Sequence, residues 1–153
     1  MMSLAFDVIK HLQGKTLSTA ESCTGGGIGN ALTAVPGASN VYKGGVISYC
    51  NEIKAKLLDV PVEILEQYGA VSAPVAEAMA RGARGVLDTD IAVSVTGLAG
   101  PTGDEFGNPV GTVFVGYADD SRCVSRHFLF EGNREEIRAQ AVNAALELIF
   151  ELN

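Results

Sequence analysis

The chain has 153 residues, 47% hydrophobic and 19% charged, a balance typical of one compact domain and not of a disordered chain. Its formal net charge is −7 with no run of Lys or Arg, which argues against a nucleic-acid partner. No stretch of about 18 uninterrupted apolar residues occurs, so neither a membrane span nor a membrane partner is expected.

Helix and strand patterns alternate through the first part of the chain. Helices are predicted where apolar residues recur at three- and four-residue spacing, and strands where short β-branched or apolar runs lie between turn residues. Glycine and proline mark most ends of these segments. In chain order the predictions are a helix ending near Gly14, a strand over 15–20, a helix stopped at Pro36–Gly37, a strand over 44–50, a helix broken at Pro61, a short helix ending at Gly69, and a helix over 74–87 that Ser72 and Pro74 start.

Three strands and a long helix are predicted for the rest of the chain. The run DIAVSVTG (90–97) is apolar enough for a strand buried on both faces. Strands over 112–118 and 123–130 flank the short turn DDS, which predicts an antiparallel pair. A last helix begins at Asn133, where Glu136 would complete a capping box. Its predicted apolar face comprises Ile137, Ala141, Ala144, Leu148 and Leu152.

This order of elements predicts a single α/β domain over 1–153, with a mixed, mostly parallel sheet and helices on both faces. In such sheets, ligands bind beyond the carboxyl ends of the strands. Two glycine-rich loops follow predicted strands, AESCTGGG (20–27) and GLAGPTGDEFGNPVG (97–111). We therefore expect a ligand site between them, with plain tight turns as the alternative.

Ser22 in the first loop is a candidate nucleophile, although neither loop spells a P-loop, a dinucleotide fingerprint or a hydrolase elbow. The N–H groups that follow it at a helix start can hold an oxyanion. His11 and His127 lie away from both loops, which leaves Lys54 as a base if burial lowers its pKa, with Tyr49 as a proton relay. The residues alone favour the alternative, a solvated Lys54 and a Tyr49 in the core.

The cysteines and the N-terminal segment indicate a reducing compartment. Cys23, Cys50 and Cys123 are an odd number at irregular spacing, which favours free thiols over a disulfide framework. No CxxC spacing typical of zinc occurs. Charged residues interrupt the apolar pattern of the first segment, MMSLAFDVIKHLQGK, which predicts an amphipathic helix and not a signal peptide. We therefore expect a cytoplasmic protein.

Five ordered blocks of the sequence resemble the nicotinamide mononucleotide deamidases, the PncC family, equivalent to the C-terminal domain of the competence/damage-inducible protein CinA. The likeness runs from about Lys15 to the last helix. Larger CinA proteins carry a further N-terminal domain, so this chain is expected to resemble the stand-alone enzymes. The blocks are TAESCTGGGIGNALTAVPGAS (19–39), GGVISYCNEIKAKLLDV (44–60), YGAVSAPVAEAMARGA (68–83), AVSVTGLAGPTG (92–103) and NPVGTVFVGYA (108–118).

The resemblance implies hydrolysis of the carboxamide of nicotinamide mononucleotide, in pyridine-nucleotide recycling, with no metal and no cofactor. It implies Ser22 as the nucleophile, with Tyr49 and Lys54 accepting its proton. The sequence departs from other members at Cys50, where Ser can occur, and no effect on the chemistry is expected. The residues assigned to substrate binding are Cys23, Thr24, Gly25, Gly26, Thr96, Gly97, Gly100, Thr102 and Gly103.

Two other functions remain open at the level of the sequence. The domain can be a pyridine-nucleotide-binding module without turnover, or an amidase that uses the Cys23 thiol in place of Ser22. The apolar last helix also favours a homo-oligomer, with a dimer as the preferred state and the active sites close to its interface.

Overall fold

Five strands form one mixed sheet in the computed structural model, which describes residues 3–153. β1 pairs in parallel with β2 and β3, whereas β4 runs antiparallel to β3 and β5. Four strands therefore point the same way and β4 alone is reversed, which confirms the predicted mixed, mostly parallel α/β sheet. The strands are β1 (Leu17–Glu21), β2 (Tyr42–Ile47), β3 (Ile91–Gly97), β4 (Thr112–Ala118) and β5 (Cys123–Leu129), in the spatial order β2-β1-β3-β4-β5.

Helices cover both faces of this sheet, as predicted. The first, second and last helices share a core with one face, and the three middle helices share a core with the other. No helix within residues 3–153 is long and apolar enough to cross a membrane. The helices are α1 (Leu4–His11), α2 (Gly27–Thr33), α3 (Asn51–Leu58), α4 (Val62–Tyr68), α5 (Ala73–Leu87) and α6 (Arg134–Glu151), and a short 3-10 turn (Ala38–Asn40) precedes β2.

Small residues bring α5 close to the sheet and to α3. A Cβ atom at Gly116 in β4 would lie 2.3 Å from the carbonyl oxygen of Ala76 in α5. At Gly82 in α5, a Cβ would lie 1.9 Å from the carbonyl oxygen of Leu58, the last residue of α3. Since no side chain fits in either place, both glycines are required for this close packing.

The predicted boundary of the second strand is wrong by a few residues, because the strand ends where its partner ends. Its pairing with β1 stops at the pair Glu21 and Ile47, with one further hydrogen bond of 2.7 Å from the Ser48 N–H to the Glu21 carbonyl. Tyr49 therefore lies in the turn before α3 and not in the strand.

The start of the last helix is confirmed in atomic detail. The Asn133 side chain accepts a hydrogen bond from the Glu136 N–H, and the Glu136 carboxylate accepts one from the Asn133 N–H, each 2.9 Å long. This capping box fixes the first turn of α6. One arginine in that turn and another one turn further along reach the site described below.

Candidate active site

A sharp turn after β1 places Ser22 at the carboxyl ends of β1 and β3. The Ser22 N–H donates to the Val95 carbonyl at 3.0 Å, which extends the pairing with β3 by one residue. Gly25 and Gly26 follow with φ of 57° and 103°, values in the left-handed region that favours glycine. The glycines of this elbow, as we call residues 22–26, therefore serve the turn that presents Ser22.

The Lys54 ammonium group contacts Ser22 directly. Its Nζ donates to the Ser22 Oγ at 2.9 Å, although the two residues are 32 positions apart in sequence. The parallel pairing of β1 and β2 explains this contact, since the elbow and α3 both begin at the same edge of the sheet. Only 1% of Lys54 is exposed, and this burial lowers the pKa of its side chain to about 8. The solvated alternative for Lys54 is thus wrong.

Two carbonyl groups orient the Lys54 nitrogen toward Ser22. Besides Ser22, Nζ donates to the carbonyl oxygens of Ser48 at 2.7 Å and Tyr49 at 3.4 Å. A protonated amine has three N–H bonds, which match these three acceptors. A neutral amine has two N–H bonds and one lone pair, so the carbonyls can keep both N–H bonds while the lone pair faces the Ser22 hydroxyl. The arrangement therefore suits a general base.

Tyr49 lies at the mouth of the same pocket, apart from this pair. Its side chain is 64% exposed, and its hydroxyl accepts a hydrogen bond of 3.3 Å from Arg134. Within residues 3–153, that hydroxyl makes no hydrogen bond to Ser22 or Lys54. The structure therefore brings together two of the three expected catalytic residues and leaves the third at the entrance, with neither the relay contact nor the core position that the sequence suggested.

The pocket beside Ser22 has a volume of about 280 Å³ and is lined in part by the beginning of the second glycine-rich loop. Five of the nine residues assigned to substrate binding line it, namely Cys23, Thr96, Gly97, Gly100 and Thr102. The Thr96 hydroxyl is already bonded to the Ala70 carbonyl at 2.8 Å, which leaves Thr102 as the threonine whose hydroxyl is free within residues 3–153.

Gly103 does not line this pocket. A Cβ there would lie 2.4 Å from the carbonyl oxygen of Asn108, so Gly103 serves the internal packing of its own loop. Gly100 has a φ of 99°, and a Cβ there would lie 2.9 Å from the Val110 side chain. Its role as glycine is therefore explained by the loop conformation alone.

Cys23 lines the pocket but also packs in the hydrophobic core. It is 6% exposed, and its sulfur lies 3.2 Å from the position that a Cβ of Gly97 would occupy. Burial raises the pKa of this thiol to about 11, so it is protonated at neutral pH. Because the thiolate is the nucleophilic form, this environment argues against the Cys23 amidase.

Sequence reasoning missed Glu21, a buried carboxylate beneath the elbow. Its Oε1 accepts from the Thr24 hydroxyl at 2.6 Å and from the N–H groups of Gly26 and Ile28 at 3.2 and 2.9 Å. Its Oε2 accepts from the Gly29 N–H at 3.0 Å. These bonds occupy the start of α2, including one of the N–H groups expected to hold an oxyanion. The only signal in the sequence was the position of Glu21, directly before Ser22.

Two arginines at the start of α6 were also missed. Arg134 lines the pocket, where it donates to the Gly100 carbonyl at 2.5 Å as well as to Tyr49. Arg138 donates to the carbonyls of Cys23 and Thr24. Their spacing of one helical turn was the available signal, but nothing local connected them with Ser22.

The whole described chain matches proteins of one family. A model of the CinA C-terminal domain matches residues 2–152. A CinA-like protein of Parasynechococcus marenigrum is 56% identical over 123 residues, which cover 79% of this chain and 29% of that protein. One from Petrotoga mobilis is 44% identical over 147 residues, which cover 96% of this chain and 36% of that protein. The chain thus spans about a third of the length of these relatives.

Solved structures show the same fold along nearly the full length. A CinA superfamily protein from Escherichia coli superposes with a TM-score of 0.96 at 36% identity, covering 98% of this chain and 88% of that one. A competence/damage-inducible protein from Agrobacterium tumefaciens superposes with a TM-score of 0.94 at 39% identity, covering 98% of this chain and 93% of that one. By sequence and by structure, the chain belongs to the CinA C-terminal domain family.

Proposed function

We propose that the chain is an amidase that hydrolyses the carboxamide of nicotinamide mononucleotide to nicotinate mononucleotide and ammonia. The observation that carries this proposal is the 2.9 Å contact between the Ser22 hydroxyl and the buried Lys54 amine. The resemblance of five sequence blocks to the deamidases supports the choice of substrate.

Ser22 and Lys54 supply the steps of an acyl transfer. The Ser22 oxygen bonds to the amide carbon while its proton passes to the Lys54 lone pair. The carbonyl oxygen becomes an oxyanion, and backbone N–H groups of the elbow stabilise it. Lys54 then returns the proton to the departing nitrogen, and ammonia leaves a nicotinoyl ester on Ser22. Lys54 then takes a proton from water as the water oxygen attacks this ester. The bond between the acyl carbon and the Ser22 oxygen breaks, Lys54 returns the proton to that oxygen, and nicotinate mononucleotide leaves.

The charges around the pocket favour one orientation of the substrate. Lys54 and Arg134 are its cationic lining residues, and Arg134 lies at the exposed end near Thr102. A neighbouring groove of about 820 Å³ is lined by Glu52, Glu66, Asp104 and Glu105, with no Lys or Arg in its described lining. A phosphate is repelled by that groove and attracted to Arg134. The proposal therefore assigns the phosphate to Arg134 and the Thr102 hydroxyl, and the amide to Ser22.

Ammonia release from nicotinamide mononucleotide by the purified protein tests this function. The wild-type protein should form ammonia and nicotinate mononucleotide in equal amounts, and Ser22→Ala should form neither. Ser39→Ala, which removes the hydroxyl of an exposed serine, is the matched control and should keep full activity. Binding of the mononucleotide without ammonia release would instead identify a nucleotide-binding module.

A further inference from the structure

The peptide groups of the elbow are almost all used within the protein. The exceptions are the N–H groups of Cys23 and Thr24, which donate to no acceptor within residues 3–153. Buried N–H groups without a partner are rare, and these two directly follow the proposed nucleophile. The N–H groups with partners nearby are those of Ser22, Gly25, Gly26, Gly27, Ile28 and Gly29.

A single guanidinium group binds two carbonyl oxygens of the elbow, and one of them belongs to a peptide with a free N–H. Arg138 Nε donates to the Cys23 carbonyl at 3.0 Å, and its Nη2 donates to the Thr24 carbonyl at 3.2 Å. The Cys23 carbonyl belongs to the peptide group whose N–H is that of Thr24. A cation bound to the oxygen of a peptide withdraws electrons from it and strengthens the N–H at its other end as a donor.

We propose that Arg138 is a positioning residue of the oxyanion site, acting through the peptide between Cys23 and Thr24. This inference rests on the proposed function, because it assigns these N–H groups to the oxyanion formed at Ser22. Arg138 fixes the carbonyl side of the turn while Glu21 fixes the start of α2, which leaves the two N–H groups oriented and free. Since the charge on the substrate oxygen grows only as the amide is attacked, Arg138 acts on kcat and not on KM.

Two substitutions test whether Arg138 polarises the peptide between Cys23 and Thr24 or only attaches α6 to the elbow. Arg138→Gln keeps an N–H donor but removes the charge, and Arg138→Lys keeps the charge with a less suitable shape. We expect kcat to fall about tenfold in Arg138→Gln and about threefold in Arg138→Lys, with KM and the pH midpoint of activity unchanged. Arg126→Gln is the matched control, since Arg126 pairs with Glu151 at the surface and should not affect kcat.

A second readout does not depend on the amide substrate. Phenylmethanesulfonyl fluoride labels nucleophilic serines, and mass spectrometry gives the rate at Ser22. Labelling should slow by the same factors as kcat. If the wild-type protein is labelled but releases no ammonia, the proposed function is wrong, and the labelling rates alone decide the role of Arg138.

The inference would be overturned if folded Arg138→Gln protein were labelled at the wild-type rate. It would also be overturned if the two variants were labelled at equal rates. If Arg138→Gln does not fold, Arg138→Lys decides, and an unchanged rate there overturns it. A wild-type protein that neither reacts with the sulfonyl fluoride nor releases ammonia overturns the inference together with the function.

Discussion

Lys54 is a cation that the fold holds almost entirely out of water. Loss of hydration lowers its pKa, and the nearby Cys50 and Cys23 offset only part of this effect. Its nitrogen donates to two carbonyl groups and one hydroxyl. A general base with a pKa near the working pH combines a useful free-base fraction with useful basicity. The burial of Lys54 therefore gives it a free-base fraction near neutral pH that a surface lysine lacks.

Activity should depend on pH through this one group. The free-base fraction of Lys54 grows as pH passes through about 8, so kcat/KM for the mononucleotide should rise with pH and level off above that value. Lys54→Arg should be inactive at every pH, because a guanidinium stays protonated. A pH profile of initial rates checks both, and an active Lys54→Arg enzyme would mean that the residue acts as a fixed charge.

The two neighbouring nucleophile candidates should behave in opposite ways. Ser22→Ala should lose activity by about three orders of magnitude or more. Cys23→Ala removes a buried, protonated thiol and should keep kcat within about threefold, with a stability loss of about 1 kcal/mol from the small cavity. Steady-state rates and chemical denaturation measure these effects. The reverse pattern would assign the reaction to the thiol.

At the scale of elements, the cap of α6 links stability to the site. Asn133→Ala removes the capping hydrogen bond and should cost about 1 kcal/mol of unfolding free energy. It should also lower kcat/KM, because Arg134 lies in the turn that frays and Arg138 lies one turn further along the helix. Ser3→Ala is the control, since Ser3 caps α1 in the same way at 3.1 Å and holds no site residue. Denaturation should show similar losses of unfolding free energy in both variants. Steady-state rates should show a loss of kcat/KM in Asn133→Ala alone.

The loop after β3 calls for a different substitution from the one that its glycines suggest. Gly100→Val would strain a backbone with a φ of 99° and so disturb the loop whatever its role. Thr102→Val removes only a hydroxyl and should raise KM for the mononucleotide about tenfold, while leaving weak hydrolysis of free nicotinamide unchanged. Equal losses on the two substrates would contradict a phosphate-binding role.

The elements themselves were largely predictable because their signals are local. Apolar spacing, glycine stops and the capping box at Asn133 each lie within one segment, and the structure confirms them. No local signal marks the end of β2, since it is determined by the end of the neighbouring strand β1 at Glu21. The contact between Ser22 and Lys54 depends on the same pairing, so residue patterns alone favoured a solvated Lys54, and the family resemblance was needed to predict its role. Arg138 lies 115 positions from its acceptor at Cys23, beyond any local pattern.

At the scale of the whole molecule, the base of the site is a cost to stability. Between pH 8 and 10.5, the unfolded chain binds more protons at Lys54 than the folded chain does, so the folded state gains stability as pH rises. This gain is absent below pH 8 and complete above 10.5, and it amounts to about 3 kcal/mol.

The comparison with Lys54→Met isolates this effect, because every other group titrates in both proteins. We expect the free energy of unfolding of the wild type to rise by about 3 kcal/mol relative to the variant between pH 7.5 and 10.5. Denaturant titrations at a series of pH values measure it. A constant difference would mean that Lys54 keeps an ordinary affinity for protons in the folded protein.

The carboxylate beneath the elbow also bears on the orientation of the proposed mononucleotide. In many nucleotide-binding proteins a helix start is vacant and receives the phosphate. Here the Glu21 side chain already fills the start of α2 and is covalently part of the chain, so no dissolved anion can displace it at any concentration. In the proposed complex a dianionic phosphate would gain nothing there and would be repelled, whereas an uncharged carboxamide would not. A group built into the chain would thus disfavour entry of the proposed mononucleotide with its phosphate toward α2.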